Sequence, residues 1–197
     1  MKKRKNILLC ILLAICIIFV CGILIYKKNM ELNTPESILN KLSNVNSYST
    51  KVTYVVKNSR GEFKEEGLIE FNKDDCTKIT LSNRVETFKD NKIYIDYTNE
   101  NKSYEVSEDF DNFYQFMFIN YLPKFLNDEN NVNYSYETIE DMEYFVVEYL
   151  LLSGNQNFYK QKLYIDIKNK IPLKSIIYDK NDIERLNIAY NEFIKSN

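Results

Sequence analysis

The chain of 197 residues has no histidine and no tryptophan, and only four glycines, three prolines and four cysteines. Without an imidazole, neither a Ser-His-Asp nor a Cys-His relay can be assembled. The ligand on which most zinc sites draw is missing as well. Three of the cysteines, Cys10, Cys16 and Cys21, lie in one apolar run. Cys76 stands alone outside it and is read as a small half-buried strand residue, since a single thiol cannot close an internal disulfide. The glycines, at 22, 61, 67 and 154, fit neither the dinucleotide nor the P-loop spacing. The sequence therefore assigns no catalytic, metal or cofactor-binding residue, and the chain is read as a non-enzyme that acts by binding.

What is present begins with location. Ile7 to Tyr26 is an uncharged run of twenty residues, ILLCILLAICIIFVCGILIY. About 20 apolar residues are needed to span the hydrocarbon of a bilayer as a helix. Four basic residues (Lys2, Lys3, Arg4, Lys5) precede the run and two (Lys27, Lys28) follow it. That bias predicts an N-terminus inside and the remainder outside. Residues 1–28 are thus read as an uncleaved membrane anchor, 29–34 as a stalk and 35–197 as one extracytoplasmic domain. Lipidation of Cys21 is the alternative, because Ile18-Phe19-Val20-Cys21-Gly22 has a lipobox-like shape, although Val20 is larger than the usual small residue. Simple cleavage is the third reading, and no small-residue site follows the run.

Six of the 26 basic residues belong to the anchor and its flanks. Twenty then face 28 acids, a net charge of −8 for the domain. Such a domain is a poor ligand for phosphate backbones, so nucleic acid is not expected as a partner.

The rest of the chain alternates between two periods. Thr34-Pro35-Glu36 reads as a helix start, with Thr as cap and Pro in the first turn. Ile38, Leu39, Leu42 and Val45 give that helix an apolar stripe. From Tyr48 the period falls to two. Tyr48, Thr50, Val52, Tyr54 and Val56 alternate with more polar residues up to the turn Asn58-Ser59-Arg60-Gly61. About six short strands follow in all, reaching Val106, with Asp90-Asn91 among their turns. Residues 108–126, with the run DFDNFYQFMFINYLPKFL, predict a second helix that is apolar almost all round. Phe110, Phe113, Tyr114, Met117 and Tyr121 are expected on the concave face of the sheet or lining a cavity there, and Pro123 should kink or end the helix. About five more strands run from Tyr134 to Phe193. The predicted class is α+β: one antiparallel sheet of 10–11 strands, curled into a half-barrel, with helices on its concave face.

That order resembles the LolA/LppX superfamily of lipoprotein-carrier domains. The residues that carry the resemblance are Thr34-Pro35-Glu36-Ser37-Ile38-Leu39, like its first helix. Lys162-Leu163-Tyr164-Ile165-Asp166-Ile167 followed by Ile171-Pro172-Leu173-Lys174 is like its late hairpin. Within the superfamily the chain is similar to the GerS group of germination lipoproteins from low-GC spore-formers. This resemblance implies an adaptor in sporulation and germination, bound to the forespore or spore membrane. It would bind and activate a spore-cortex N-acetylmuramoyl-L-alanine amidase. The alternative, suggested by the apolar segment, is a carrier or sensor that holds a lipid acyl chain in the half-barrel. A homodimer is left open.

The remaining candidates have plain structural readings. Asp74-Asp75, Glu108-Asp109-Asp111, Glu140-Asp141 and Asp179/Asp182 fall at turns or a helix start, where acids cap and are solvated. The tyrosines at 94, 97, 104, 134, 136, 144 and 149 are good strand formers, and would make a binding face only if they gathered on one surface.

Overall fold

The computed structural model describes residues 17–23, 33–151 and 154–196. The chain divides into two units, Met1–Ile38 and Leu39–Asn197. In the first, residues 17–23 are helical and exposed. Most of the expected anchor, Ile7–Tyr26, lies outside the described residues. Among those described, no helix is long and apolar enough to cross a membrane. Helix α1 (Pro35–Ser43) starts as its sequence predicts. The Thr34 hydroxyl accepts the Ser37 N–H at 3.3 Å, and the Thr34 carbonyl accepts that of Ile38 at 3.0 Å.

Leu39–Asn197 holds one sheet of eleven strands. In chain order they are β1 (Ser47–Asn58), β2 (Gly61–Asn72), β3 (Thr77–Thr80), β4 (Arg84–Lys89), β5 (Lys92–Tyr97), β6 (Lys102–Ser107), β7 (Val132–Ile139), β8 (Met142–Leu150), β9 (Lys160–Asp166), β10 (Ile171–Tyr178) and β11 (Glu184–Ser196). The spatial order is β6-β5-β4-β3-β2-β1-β11-β10-β9-β8-β7. Two meanders, β1–β6 and β7–β11, are therefore joined where the first and last strands pair, Val52 opposite Tyr190 and Tyr54 opposite Ile188.

Alternation decides which face is inner. In β1, Tyr48, Thr50, Val52 and Tyr54 are buried, as period-two side chains on one face should be. Two-residue turns close several hairpins. Asp90-Asn91 (φ 53° and 59°) and Glu140-Asp141 (φ 50° and 63°) both take the left-handed conformation that a type I′ turn requires. Register breaks between Ser49 and Lys51 in β1, and between Pro172 and Lys174 in β10, mark bulges that increase local twist and help so wide a sheet curl.

The segment between β6 and β7 corrects the expectation of one helix over 108–126. Glu108–Phe110, Tyr114–Met117 and Ile119–Tyr121 are short 3₁₀ turns, and only Leu122–Phe125 (α2) is a single α turn. Two extended residues interrupt the helical path: Asp111 (φ −138°, ψ 106°) and Phe118 (φ −86°, ψ 118°). The Asp111 carboxylate accepts the Phe113 N–H at 2.8 Å, an Asx turn that competes with a helix. Pro123 sits in the first turn of α2 rather than at its end, where its missing N–H costs nothing. The segment still supplies core: Tyr114, Phe116, Met117, Phe118, Ile119 and Leu122 are all buried.

Candidate functional site

The inner face of the sheet and the segment over it form the part of the molecule best suited to hold or exclude a ligand. The segment is fastened by polar groups projecting from the strands. Tyr48 Oη donates to Asn120 Oδ1 at 2.8 Å and accepts the Ile119 N–H at 3.1 Å. Asn120 Nδ2 donates to Thr77 Oγ1 at 2.9 Å. Tyr190 Oη donates to the Met117 carbonyl at 3.1 Å, and Gln161 Nε2 donates to the Phe116 carbonyl at 2.9 Å and to Ser175 Oγ at 2.6 Å. An irregular backbone cannot satisfy its own buried groups, and here strands far away in sequence do it. Aromatic contacts complete the seal, with Phe88 edge-on to Phe118 at 4.9 Å and Phe125 stacked on Tyr149 at 6.0 Å.

Toward one side the packing becomes polar. Arg84 Nη2 donates to Tyr114 Oη at 2.6 Å, and Arg84 Nε pairs with Glu86 Oε1 at 2.8 Å. Tyr54 Oη donates a hydrogen bond to Glu65 Oε2 and lies 3.3 Å from Tyr114 Oη. Glu86 is only 3% exposed. Burial pushes its carboxyl above the ordinary range; Arg84 opposes this, and the negative charges of Asp111 and Glu65 add to it. Burial likewise raises the Tyr114 phenol to about 12, against the Tyr54 hydrogen bond and the Arg84 charge. Burial, then the Glu65 hydrogen bond, raise Tyr54. Each of these groups is held by a partner, so the cluster serves as an internal polar lock.

A pocket of about 330 Å³ opens beside the segment. Phe116, Phe125 and Leu150 form its apolar side, and Asp109, Asn112, Gln115 and Lys124 its polar side. Among the described residues, no group of three or more His, Cys, Asp or Glu side chains is placed to hold a metal ion.

The structure sorts the residues singled out from sequence. Met117 is 0% exposed and Tyr114 is buried, whereas Phe113 and Tyr121 are half-buried. Phe113 packs against Tyr54 and Phe158, and Tyr121 Oη donates to Glu108 Oε1 at 2.7 Å. Phe110 corrects the expectation for it: at 78% exposed it points to solvent, because its 3₁₀ turn ends before the chain enters the interior. Cys21 is exposed within residues 17–23, and Cys76 is half-buried just before β3.

The turn acids act locally. Asp75 pairs with Lys89 at 2.8 Å, and Asp182 with Lys160 at 2.7 Å. Asp179 accepts the N–H groups of Asn181 and Ile183 and, at 2.8 Å, Arg185 Nε. Burial alone would raise its carboxyl, but these donors hold it below the ordinary range.

The tyrosines do not share one surface. Tyr97 and Tyr104 lie at the β6 edge, and Tyr134 and Tyr136 at the β7 edge, the opposite end of the sheet. Tyr149 is buried under Phe125. Tyr94 alternates with the buried Ile93 and so faces outward. Tyr144 packs outside with Val146 and Tyr164.

Sequence reasoning misses the polar lock, although its signal is visible. In Arg84-Val-Glu-Thr-Phe88, positions 84, 86 and 88 share one face, and Phe88 marks that face as inner. Charges in an inward register are costly unless paired, so the pattern foretells buried partners without saying which residues supply them.

A family model described as sporulation protein YdcC-like matches residues 4–197. Among solved structures, the chain is similar to an uncharacterised conserved protein from Thermus thermophilus, at 10% identity and a TM-score of 0.53, covering 82% of this chain and 87% of that one. That is a likeness of fold. It is more weakly similar to two others. One is the complex of the CwlD amidase with the GerS lipoprotein from Clostridioides difficile (20% identity, TM-score 0.46, 82% and 95% covered). The other is the LolA superfamily protein NE2245 from Nitrosomonas europaea (12%, 0.43, 83% and 94%). No curated protein matches the chain in sequence.

Proposed function

We propose that this chain, which belongs to the family of sporulation proteins like YdcC, is a membrane-attached, extracytoplasmic adaptor that works by docking a protein partner and performs no catalysis itself. The observation that carries this reading is the filled inner face. Residues 114–119 and Leu122 occupy it with buried side chains, and strand side chains fasten the backbone there. A carrier needs an empty apolar hollow large enough for its cargo. The pocket beside the segment is polar on one side, at Asp109, Asn112, Gln115 and Lys124, and an acyl chain reaching the inner face would have to displace Met117 and Phe118 and break the bonds from Tyr48, Gln161 and Tyr190, so lipid carriage is the less favoured reading. The surface is then where the protein acts.

The partner in this reading is a spore-cortex N-acetylmuramoyl-L-alanine amidase, whose zinc-dependent cleavage the adaptor supports. The reading draws on the resemblance to the GerS group, and in the C. difficile complex GerS is paired with the amidase CwlD. The attachment is the uncharged run Ile7–Tyr26, with a lipidated Cys21 as its alternative form. Affinity purification of the solubilised full chain from sporulating cells tests the reading. An amidase should accompany it in near-stoichiometric amount. A preparation that instead carries bound lipid and no amidase would support the carrier.

A further inference from the structure

The negative charge of the domain is unevenly placed. Residues 103–159 contain eleven acids and a single base, Lys124, a net charge of −10, which leaves the remainder of the domain at +2. The pocket of about 330 Å³ opens within this stretch, between Asp109 and Leu150. A field of one sign favours cations there and repels anions. Three acids stand in the turn that enters the segment. Glu108 accepts Tyr121 Oη at 2.7 Å, and Asp111 accepts the Phe113 N–H at 2.8 Å. Asp109 is exposed and lines the pocket, and among the described residues its carboxylate has no hydrogen-bond or ion-pair partner.

A second acceptor lies deeper. Gln115 is 2% exposed and lines the same pocket. Its Nε2 donates to the Glu108 carbonyl at 3.1 Å, which fixes the orientation of the amide, and no described residue donates to its Oε1. An acceptor so far from water is costly to leave unmade. Lys124 answers neither group: its Nζ lies over the Tyr121 ring, 5.7 Å from the centroid, and makes no ion pair among the described residues. The opposite wall is Leu150 with Phe116 and Phe125, whose ring centroids are 6.0 Å apart. A matching group must therefore be cationic, bring donors to Asp109 and Gln115, and tolerate aromatic walls. A guanidinium does all three: its fork faces a carboxylate, further N–H groups remain for the amide oxygen, and its weakly hydrated plane stacks on rings. Its methylene stem can lie along the apolar wall. The volume is near the lower end of the ~300–1,000 Å³ of ligand pockets, enough for one long side chain.

We propose that this pocket receives an arginine side chain presented by the docked protein partner, with Asp109 and Gln115 as its acceptors. The proposal rests on the docking reading above and gives it a surface. Isothermal titration of the full chain in a neutral detergent tests the pocket directly. The probes are a blocked alanyl-arginyl-alanine peptide and its citrulline counterpart, which keeps the shape and lacks the charge. Saturable binding of the arginine peptide is expected, with the citrulline peptide about tenfold or more weaker. Asp109→Asn should weaken the arginine peptide about threefold or more, without moving the thermal melt, because Asp109 is exposed. Lys124→Gln should tighten it by removing a like charge. No saturable binding, equal binding of the two peptides, binding unchanged in Asp109→Asn, or weaker binding in Lys124→Gln would each overturn the proposal. Capture of the amidase separates this from the docking reading. A chain that captures the amidase and binds no arginine peptide keeps the docking and loses the pocket. One that binds the peptide and captures no amidase keeps the pocket and loses that partner.

Discussion

The strands and the segment over them are both rich in aromatic and aliphatic side chains, but they are held in different ways. In β1, one hydrogen-bonded ladder to β2 and another to β11 satisfy the backbone, and alternation alone decides that Tyr48, Val52 and Tyr54 point inward. Between β6 and β7 no ladder exists. There the backbone at Phe116, Met117 and Ile119 depends on single side chains from Gln161, Tyr190 and Tyr48. The sheet is specified by a repeated local rule. The segment is specified by a few contacts from strands tens of residues away, so each of those contacts matters more.

The largest expected effect tests whether the segment is core. Met117→Ala, at a site without exposure, should cost about 2–5 kcal/mol, a large part of a typical stability of about 5–15 kcal/mol. Phe113→Ala should cost less because Phe113 is half-buried, and Phe110→Ala should stay within about 0.5 kcal/mol. Denaturant melts of the three variants give the order. Equal, near-zero shifts would mean that the segment is a loose cover.

Those three residues also show how far the sequence can be read. Period two locates the strands, and β1 falls within two residues of the alternation that runs from Tyr48 to Val56. The turn at Asp90-Asn91 is legible because that pair tolerates the left-handed backbone. The segment reads as one helix because Phe113, Met117 and Tyr121 have helical spacing. What breaks the helix is an Asx turn at Asp111 together with hydrogen bonds from Tyr48 and Tyr190, about seventy positions away in either direction. A local pattern cannot display such bonds. Arg84 and Glu86 lie in plain view as inward charges, but their partner Tyr114 becomes identifiable only with the fold.

Two substitutions of intermediate effect separate the regions further. Tyr48→Phe leaves the buried Ile119 N–H without its acceptor and should cost about 1–3 kcal/mol, with faster amide exchange at Ile119 and neighbouring amides of the segment. Gly67→Ala acts on the sheet instead. A Cβ there would stand 3.0 Å from Leu81 Cδ2 and 3.2 Å from the Thr80 carbonyl oxygen, so β2 and β3 must part slightly. A loss of about 1–3 kcal/mol is expected, with exchange quickening along β2 and β3. If both variants loosened the same amides, the two regions would not be independently held.

The smallest effects are in pH dependence, and the two regions should differ in sign. Glu86, under the segment, has a raised pKa. Its native state holds the proton more tightly than the unfolded chain does. The stability this gives is present below the ordinary glutamate pKa and is lost as pH rises through the raised value. Glu86→Gln should therefore gain on the wild type as pH rises. Asp179, at the β10–β11 turn, has a lowered pKa. Its contribution is present above the ordinary aspartate pKa and is lost as pH falls through the lowered value. Asp179→Asn should gain on the wild type as pH falls. Denaturant melts of each variant and the wild type from about pH 3 to pH 8 would reveal the opposite slopes.

The most direct test of docking without catalysis is an amidase assay on isolated cortex peptidoglycan. The full chain, in neutral detergent, is titrated into the zinc-loaded cortex amidase of the same organism, and release of peptide stems is followed. The chain alone should release nothing, and the mixture should release stems faster than the amidase alone, saturating at a fixed ratio of the two proteins. Release by the chain alone, or an amidase rate that stays flat across the titration, would contradict the account.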